Sequence, residues 1–158
     1  MPQRTAADSL IESRDVVFAR ENPERPFSFL AVEVLKGEPE TSAIDLFVDS
    51  TTRRVLAADP NKVAVLFREK EDSAWRSLGV ADHVFQQLAR DILAKAPDWE
   101  GEAGVQRRCE FFLPLFGHED RRLFELAYLE LGRAPYATIK QVARSASRDR
   151  VCLLYTSP

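Results

Sequence analysis

The sequence predicts an α+β chain in two parts: a small antiparallel five-strand sheet or partly open barrel with a covering helix, followed by a helical hairpin. Three observations lead to this prediction. Up to residue 78, short apolar runs are separated by turn residues, which is typical of strands. After Gly79 the apolar period changes from two residues to 3.6. After the first helical segment, residues 98–104 hold two glycines and three acidic residues, a composition typical of a linker.

Five segments have the alternation expected of strands: residues 15–20, 27–35, 44–49, 63–67 and 74–78. The second segment is apolar on both faces, because Leu30, Val32 and Val34 alternate with further apolar residues. We therefore expect that strand to be buried on both sides. A short helix over residues 53–58, capped by Ser50 or Thr51, separates the third strand from the fourth.

The helical pattern begins at residues 82–96, where Asp82 is the expected N-cap of a helix that covers the sheet. Residues 105–116 form the next predicted helix, with Cys109, Phe112 and Phe116 facing inward. Pro114 should kink this helix or end it early. The following helix, residues 123–131, is apolar nearly all round, which predicts a helix packed on several sides. Pro135 opens a third helix. The predicted domains are therefore residues 1–97, a linker at 98–104, and a helical segment at 105–151.

The run FLPLFGHED at residues 112–120, followed by Leu123, Ala127, Leu131 and Gly132, resembles a HEAT-type helical repeat. Such a resemblance implies an α-solenoid, in which stacked helix pairs form an extended binding surface. The chain departs from the pattern at Phe124 and Glu125, where many repeats carry Val-Arg. A single helical hairpin is the alternative interpretation.

The run DVVFAR at residues 15–20 and the segment at residues 29–37 resemble the first two strands of a bacterial module. That module is related to the OB-like domain of netrins and metalloproteinase inhibitors. The resemblance implies a binding barrel, usually in an exported protein. The N-terminal cysteine of that family is absent, which puts an inhibitory role in doubt.

The formal net charge is −3, from 22 Lys and Arg against 25 Asp and Glu. This balance argues against nucleic acid as a partner. No run approaches the roughly 18 apolar residues of a membrane span, and the N-terminus lacks the apolar core of a signal peptide. The chain as written is expected in the cytoplasm, or in the periplasm or outside the cell if a signal peptide was lost upstream.

The last seven residues, CLLYTSP at 152–158, resemble a translated sequencing adaptor. If these residues come from such an adaptor, the native sequence stops near Val151, and the chain is the front of a longer protein. Cys109 is then the single native cysteine, so cysteine usage says nothing about the compartment.

Residues with catalytic or ligand chemistry are few. His83 and His118 have no Cys or His partner at zinc spacing, and Cys109 lies among apolar residues. Asp45 and Asp49 are explained by the solvent face of a strand. The sequence therefore predicts no catalytic residue, no metal site and no cofactor.

One cationic and aromatic cluster is the candidate binding site. Arg53 and Arg54 open the short helix, and Trp75 and Arg76 lie on the last strand. If these share one rim of the barrel, they can bind an anionic group or an acidic residue of a partner. In the alternative interpretation Trp75 fills the barrel end and the arginines are solvated.

These observations predict a non-catalytic interaction or scaffold protein with a protein partner. Two alternatives stay open. One is an exported binding or enzyme-inhibitor-like module, and the other is the regulatory front part of a longer enzyme.

Overall fold

The computed structural model describes residues 3–39 and 43–146. The chain is α+β, as predicted: a curled five-strand antiparallel sheet is followed by helices. One compact unit, the sheet unit, is Ala6–Ala94. The helical unit contains, within the described ranges, residues 3–5 and 95–146. The predictions for residues 147–151 and for the adaptor-like residues 152–158 lie outside the described residues.

The sheet unit contains five strands and three helices in its described part. In chain order these are α1 (Ala6–Glu12), β1 (Asp15–Glu21), β2 (Ser28–Lys36), β3 (Ile44–Asp45), α2 (Ser50–Ala58), β4 (Val63–Arg68), β5 (Arg76–Ala81) and α3 (His83–Lys95). The strands are antiparallel neighbours in the order β3-β2-β1-β4-β5. The number of strands and the place of the short helix are as the sequence predicts.

The core of this unit lies on both faces of the central strand β1. Val17 and Ala19 pack on one face with Leu56 of α2. Val16 and Phe18 alternate with them and are buried on the other face. The guanidinium of Arg90 on α3 lies 5.2 Å from the Phe18 ring centre, so α3 covers that second face. The N-cap of α3 is Asp82 as predicted, because its Oδ1 accepts from the Phe85 N–H at 2.9 Å.

Strand β2 differs from the prediction that both of its faces are buried. Leu30, Val32 and Val34 are 39%, 56% and 50% exposed. In the described residues β3 pairs only with Ser28 and Phe29 at the start of β2. The β1–β2 register also shifts twice, which breaks the regular alternation of faces along β2. The apolar pattern of the sequence predicts neither the short pairing with β3 nor the register shifts.

The predicted third strand is shorter than its pattern. Pairing ends at Asp45, and the next residues lead into α2. Ile44 and Val48 are nevertheless buried, as the alternation predicts. The N-cap of α2 is Asp49 and not Ser50 or Thr51, because its carboxylate accepts from the Thr52 backbone N–H at 2.8 Å.

The described part of the helical unit begins with a 3-10 turn and continues as three helices. These elements are the 3-10 turn Ala96–Trp99, α4 (Gly101–Phe112), a second 3-10 turn Leu113–Leu115, α5 (Arg121–Gly132) and α6 (Tyr136–Ser145). Residues 98–104, for which a linker was predicted, lie largely in the first 3-10 turn and the first turn of α4. Gly104 is buried there, and a Cβ on it would lie 2.1 Å from the carbonyl carbon of Trp99. Gly104 is therefore explained by the close approach of its backbone to that of Trp99, and not by a flexible linker.

Helix α4 ends at Phe112, two residues before Pro114, as expected because proline has no N–H to donate. Cys109 packs with Leu131 and Val142, so α4, α5 and α6 share a core. Phe116, which was predicted to face inward, is 38% exposed.

The burial of side chains around helix α5 differs from its apolar sequence pattern. Tyr128 is 60% exposed, whereas Glu130 is buried. The prediction of a helix packed on several sides is therefore wrong at Tyr128, and an acidic residue occupies part of the buried face. In the described residues no helix is both long enough and apolar enough to cross a membrane.

Candidate functional site

The structure places Arg53 of the predicted cluster in an ion pair within the sheet unit. Its Nε donates to both carboxylate oxygens of Glu21, at 2.8 and 3.1 Å. Its guanidinium also lies 4.4 Å from the centre of the Phe27 ring. Arg53 is thus held in one orientation by a carboxylate and an aromatic ring. Its neighbour Arg54 is exposed and forms no ion pair with any residue in the described ranges.

Trp75 and Arg76 have different partners. Trp75 packs against the apolar core on the α2 face of the sheet, and the guanidinium of Arg68 lies 5.0 Å from its ring centre. Arg76 lies near Glu69, with 3.8 Å between nitrogen and oxygen, and over the Phe67 ring. No hydrogen bond, ion pair or ring contact among the described residues joins Arg53 or Arg54 to these two. The contacts of the described residues therefore do not join the four predicted residues in one cluster.

The partner that sequence reasoning missed is Phe27, in the loop between β1 and β2. Its φ is +59°, in the left-handed region that bulky side chains rarely adopt. Two hydrogen bonds hold the backbone there. The Phe27 N–H donates to Oε1 of Glu21 at 2.8 Å, and its carbonyl accepts from the Leu46 N–H at 2.9 Å. Pro23 and Pro26 in the same loop are typical of a break between strands, but they do not predict this conformation.

The Phe27 ring contacts a second ring on the side chain of Phe47. The two ring centres are 5.2 Å apart with an angle of 20° between planes, an offset stack. Phe47 is 79% exposed. We name Phe27, Phe47 and Arg53 the aromatic stack. The Glu21 carboxylate connects Phe27 to Arg53, because it accepts hydrogen bonds from the Phe27 N–H and the Arg53 guanidinium.

The carboxylate of Asp49 lies at the start of α2, close in sequence to the stack. A hydrogen bond from the Thr52 backbone N–H lowers the pKa of Asp49, and a second bond from the Thr52 hydroxyl acts in the same direction. Asp49 therefore keeps its charge as a helix cap at neutral pH. This cap holds the first turn of α2, which carries Arg53 and Arg54, in a defined position.

The helical unit contains a second candidate site, a cavity of about 210 Å³. Its lining includes Glu130, which is 6% exposed. Arg108 donates from Nε to Oε2 of Glu130 at 2.7 Å and from Nη2 to Oε1 at 2.9 Å. The Thr5 hydroxyl donates to Oε1 at 2.5 Å. The buried carboxylate is thus fully compensated by a bidentate guanidinium and a hydroxyl.

Sequence reasoning missed this network, although a signal was present. Glu130 follows Leu123 and Ala127 at spacings of seven and three residues, which puts all three on one helix face. A carboxylate on a buried face requires a cation, and Arg108 on the preceding helix supplies it. No sequence pattern pairs these two positions, because they are 22 residues apart on different helices.

Cys109 lines the same cavity and is buried. Burial raises the pKa of its thiol, and the charge of Glu130 adds to the shift. The thiolate that a nucleophile or metal ligand requires is therefore disfavoured. Both histidines are exposed, and the described residues contain no cluster of three or more His, Cys, Asp or Glu side chains that could hold a metal ion.

The two candidate sites consist of aromatic rings, guanidinium groups and hydrogen-bonded carboxylates. No known protein family, curated protein or solved structure matches this chain.

Proposed function

We propose that this chain is a non-catalytic interaction protein whose sheet unit binds a partner protein through the aromatic stack. The observation that carries the proposal is Phe47, an exposed ring held against a second ring and a guanidinium. Single exposed apolar side chains are common on protein surfaces. Phe47 differs from them because its support is a strained and hydrogen-bonded residue.

The conformation of Phe27 supports this function. A bulky residue in the left-handed region costs roughly 1–3 kcal/mol, and such strain is found mainly at functional sites. In return, the Phe27 ring gives Phe47 a fixed surface to stack on. A ring held in place before binding loses little conformational entropy when a partner covers it. Aromatic and arginine side chains are also the types that contribute most to binding energy at interfaces.

The chemistry of the surface points to one class of partner. The outer face of Phe47 accepts a flat apolar group such as a proline or an aromatic ring. Arg54 is exposed on the same helix turn as Arg53, and its guanidinium binds carboxylates. The proposed ligand is therefore an extended peptide segment with a proline or aromatic residue close to an acidic one.

We also propose that the helical unit is the start of a HEAT-like scaffold, and that the sheet is an OB-like barrel. Helix α4 packs against both α5 and α6, an arrangement that supports the first resemblance. The curled five-strand sheet supports the second. Both fit a protein that presents surfaces to partners.

Selection from a peptide display library tests the proposed function. The protein is immobilised, and the enriched peptides are sequenced and then measured by calorimetry. We expect enriched peptides to combine proline or aromatic residues with acidic ones. Phe47→Ser should weaken their binding at least tenfold, and Arg54→Gln should weaken it less, because a guanidinium on the rim contributes mainly to association rate.

The chain offers a matched control in Tyr136, which is 78% exposed in the helical unit. Tyr136→Ser removes an aromatic side chain of equal exposure and should leave peptide binding unchanged. A library that yields no enriched motif, or peptides that bind the Phe47→Ser variant as well as the parent chain, would overturn the proposal.

A further inference from the structure

We propose that the cavity of the helical unit binds a small organic carboxylate, with the charged group at Arg133 and the apolar part against Trp99 and Val105. These three side chains line the cavity together with Arg108 and Glu130. The inference rests on these residues alone and is independent of the aromatic stack in the sheet unit.

The charge of the lining selects an anion. Arg108 and Glu130 neutralise one another through their two hydrogen bonds. With Arg133, the lining holds two guanidinium groups and one carboxylate. A guanidinium has five N–H donors, so one that already has a partner in the protein can still bind a carboxylate.

The apolar side of the cavity is a fixed surface. The Trp99 ring packs edge-on against Phe111, with 5.0 Å between ring centres, and at 5.7 Å from Phe112. The Arg108 guanidinium lies 5.6 Å from the Trp99 ring centre. Trp99 is therefore held from two sides, and Val105 provides a second apolar contact one helical turn into α4.

The volume limits the size of the ligand. At roughly 25–30 Å³ for each non-hydrogen atom, a cavity of about 210 Å³ accommodates about eight such atoms. A linear six-carbon carboxylate has this size. Ligands this small bind with dissociation constants of about a millimolar.

The experiment titrates hexanoate into the ¹⁵N-labelled full chain and follows the indole N–H signal of Trp99 by NMR. The Trp75→Phe variant assigns that signal, because the sequence contains only two tryptophans. We expect a saturable shift of the Trp99 signal with hexanoate and a response at least tenfold weaker with hexanamide, which has the same shape without the charge.

Two variants test the role of Arg133. Arg133→Gln should weaken hexanoate binding at least tenfold, and Arg133→Lys should restore part of it. Arg144→Gln removes an exposed arginine of the same unit and should leave binding unchanged. Dispersed amide signals show whether each variant is folded.

Three outcomes contradict the proposal. One is no shift of the Trp99 signal at concentrations far above a millimolar. Another is equal binding of hexanoate and hexanamide, and the third is equal binding by the folded Arg133→Gln and Arg144→Gln variants.

Discussion

The sheet unit and the helical unit depart from ordinary burial in opposite ways. In the sheet unit an aromatic ring, Phe47, lies in solvent. In the helical unit a carboxylate, Glu130, is buried. Each departure is compensated locally, by the stacked rings and Arg53 in one unit and by Arg108 and Thr5 in the other.

The two departures should respond differently to mutation. The buried carboxylate belongs to the stability of its unit, because removing it leaves a guanidinium without its partner. The exposed ring contributes little to stability, because most of its surface is already in water. Mutation of Glu130 should therefore affect folding, and mutation of Phe47 should affect binding.

The largest effect is expected from Glu130→Ala. Breaking a buried ion pair costs about 3–5 kcal/mol, and Arg108 is a quarter exposed, so we expect a loss near 3 kcal/mol. The free energy of unfolding, measured with urea, checks this value. Glu125→Ala is the control, because its ion pair with Arg121 is exposed and should contribute less than about 0.5 kcal/mol.

The double variant Arg108→Leu with Glu130→Leu tests whether the two charges only compensate one another. Replacing both charges with apolar side chains should recover most of the stability lost in Glu130→Ala. If the double variant is the less stable of the two, the network contributes more than mutual compensation of charge.

Gly104→Ala tests the close approach of α4 to the Trp99 backbone. The new Cβ would lie 2.1 Å from backbone atoms, so we expect a loss of about 2 kcal/mol by urea unfolding. Gly132→Ala is the matched control at the end of α5, where a Cβ meets nothing within 4 Å. That variant should be unchanged or up to about 1 kcal/mol more stable. Equal effects of the two substitutions would show that α4 does not approach Trp99 in this way.

The strain at Phe27 predicts an unusual order of stability. Glycine accepts a positive φ without cost, so Phe27→Gly should be about 1 kcal/mol more stable than Phe27→Ala. Phe67, in an extended strand, is the control, and there the glycine variant should be the less stable one. Urea unfolding of the four variants measures both differences, and a more stable alanine variant at residue 27 would show that the Phe27 backbone is not strained.

The smallest effect concerns pH and the pair of Glu33 with Arg90 in the sheet unit. Hydrogen bonds from Arg90 lower the pKa of Glu33. A carboxyl with a lowered pKa stabilises the fold above its unfolded pKa of about 4.3, and this stabilisation is lost as pH falls through the folded value. Glu33→Gln should therefore flatten the fall of the urea midpoint below about pH 4.3.

Glu24→Gln is the control for this titration, because Glu24 is exposed in the loop between β1 and β2. Its pH profile should follow that of the parent chain. A Glu33→Gln profile that matches the parent would mean that the pair with Arg90 does not form in solution.

Much of this architecture follows from sequence periodicity. The five strands, the cap at Asp82 and the end of α4 before Pro114 depend on local patterns, which a single sequence contains. The exposure of Val32 and Val34 does not follow from periodicity, because it depends on how far β3 extends and on register shifts between strands.

The candidate sites were predictable only in part. Arg53 and Arg54 were identified by their charge at a helix start. Phe27 was not, because a left-handed φ in a bulky residue results from hydrogen bonds to Glu21 and Leu46 that only the folded chain forms. Glu130 was missed for a similar reason, since its burial depends on a cation from another helix.

The most direct test of the central claim is the map of NMR shifts when a selected peptide binds the labelled chain. We predict the largest amide shifts at Phe27, Phe47 and the first turn of α2, with the helical unit nearly unchanged. Largest shifts around Tyr136 or elsewhere in the helical unit would contradict the claim that the aromatic stack is the binding surface.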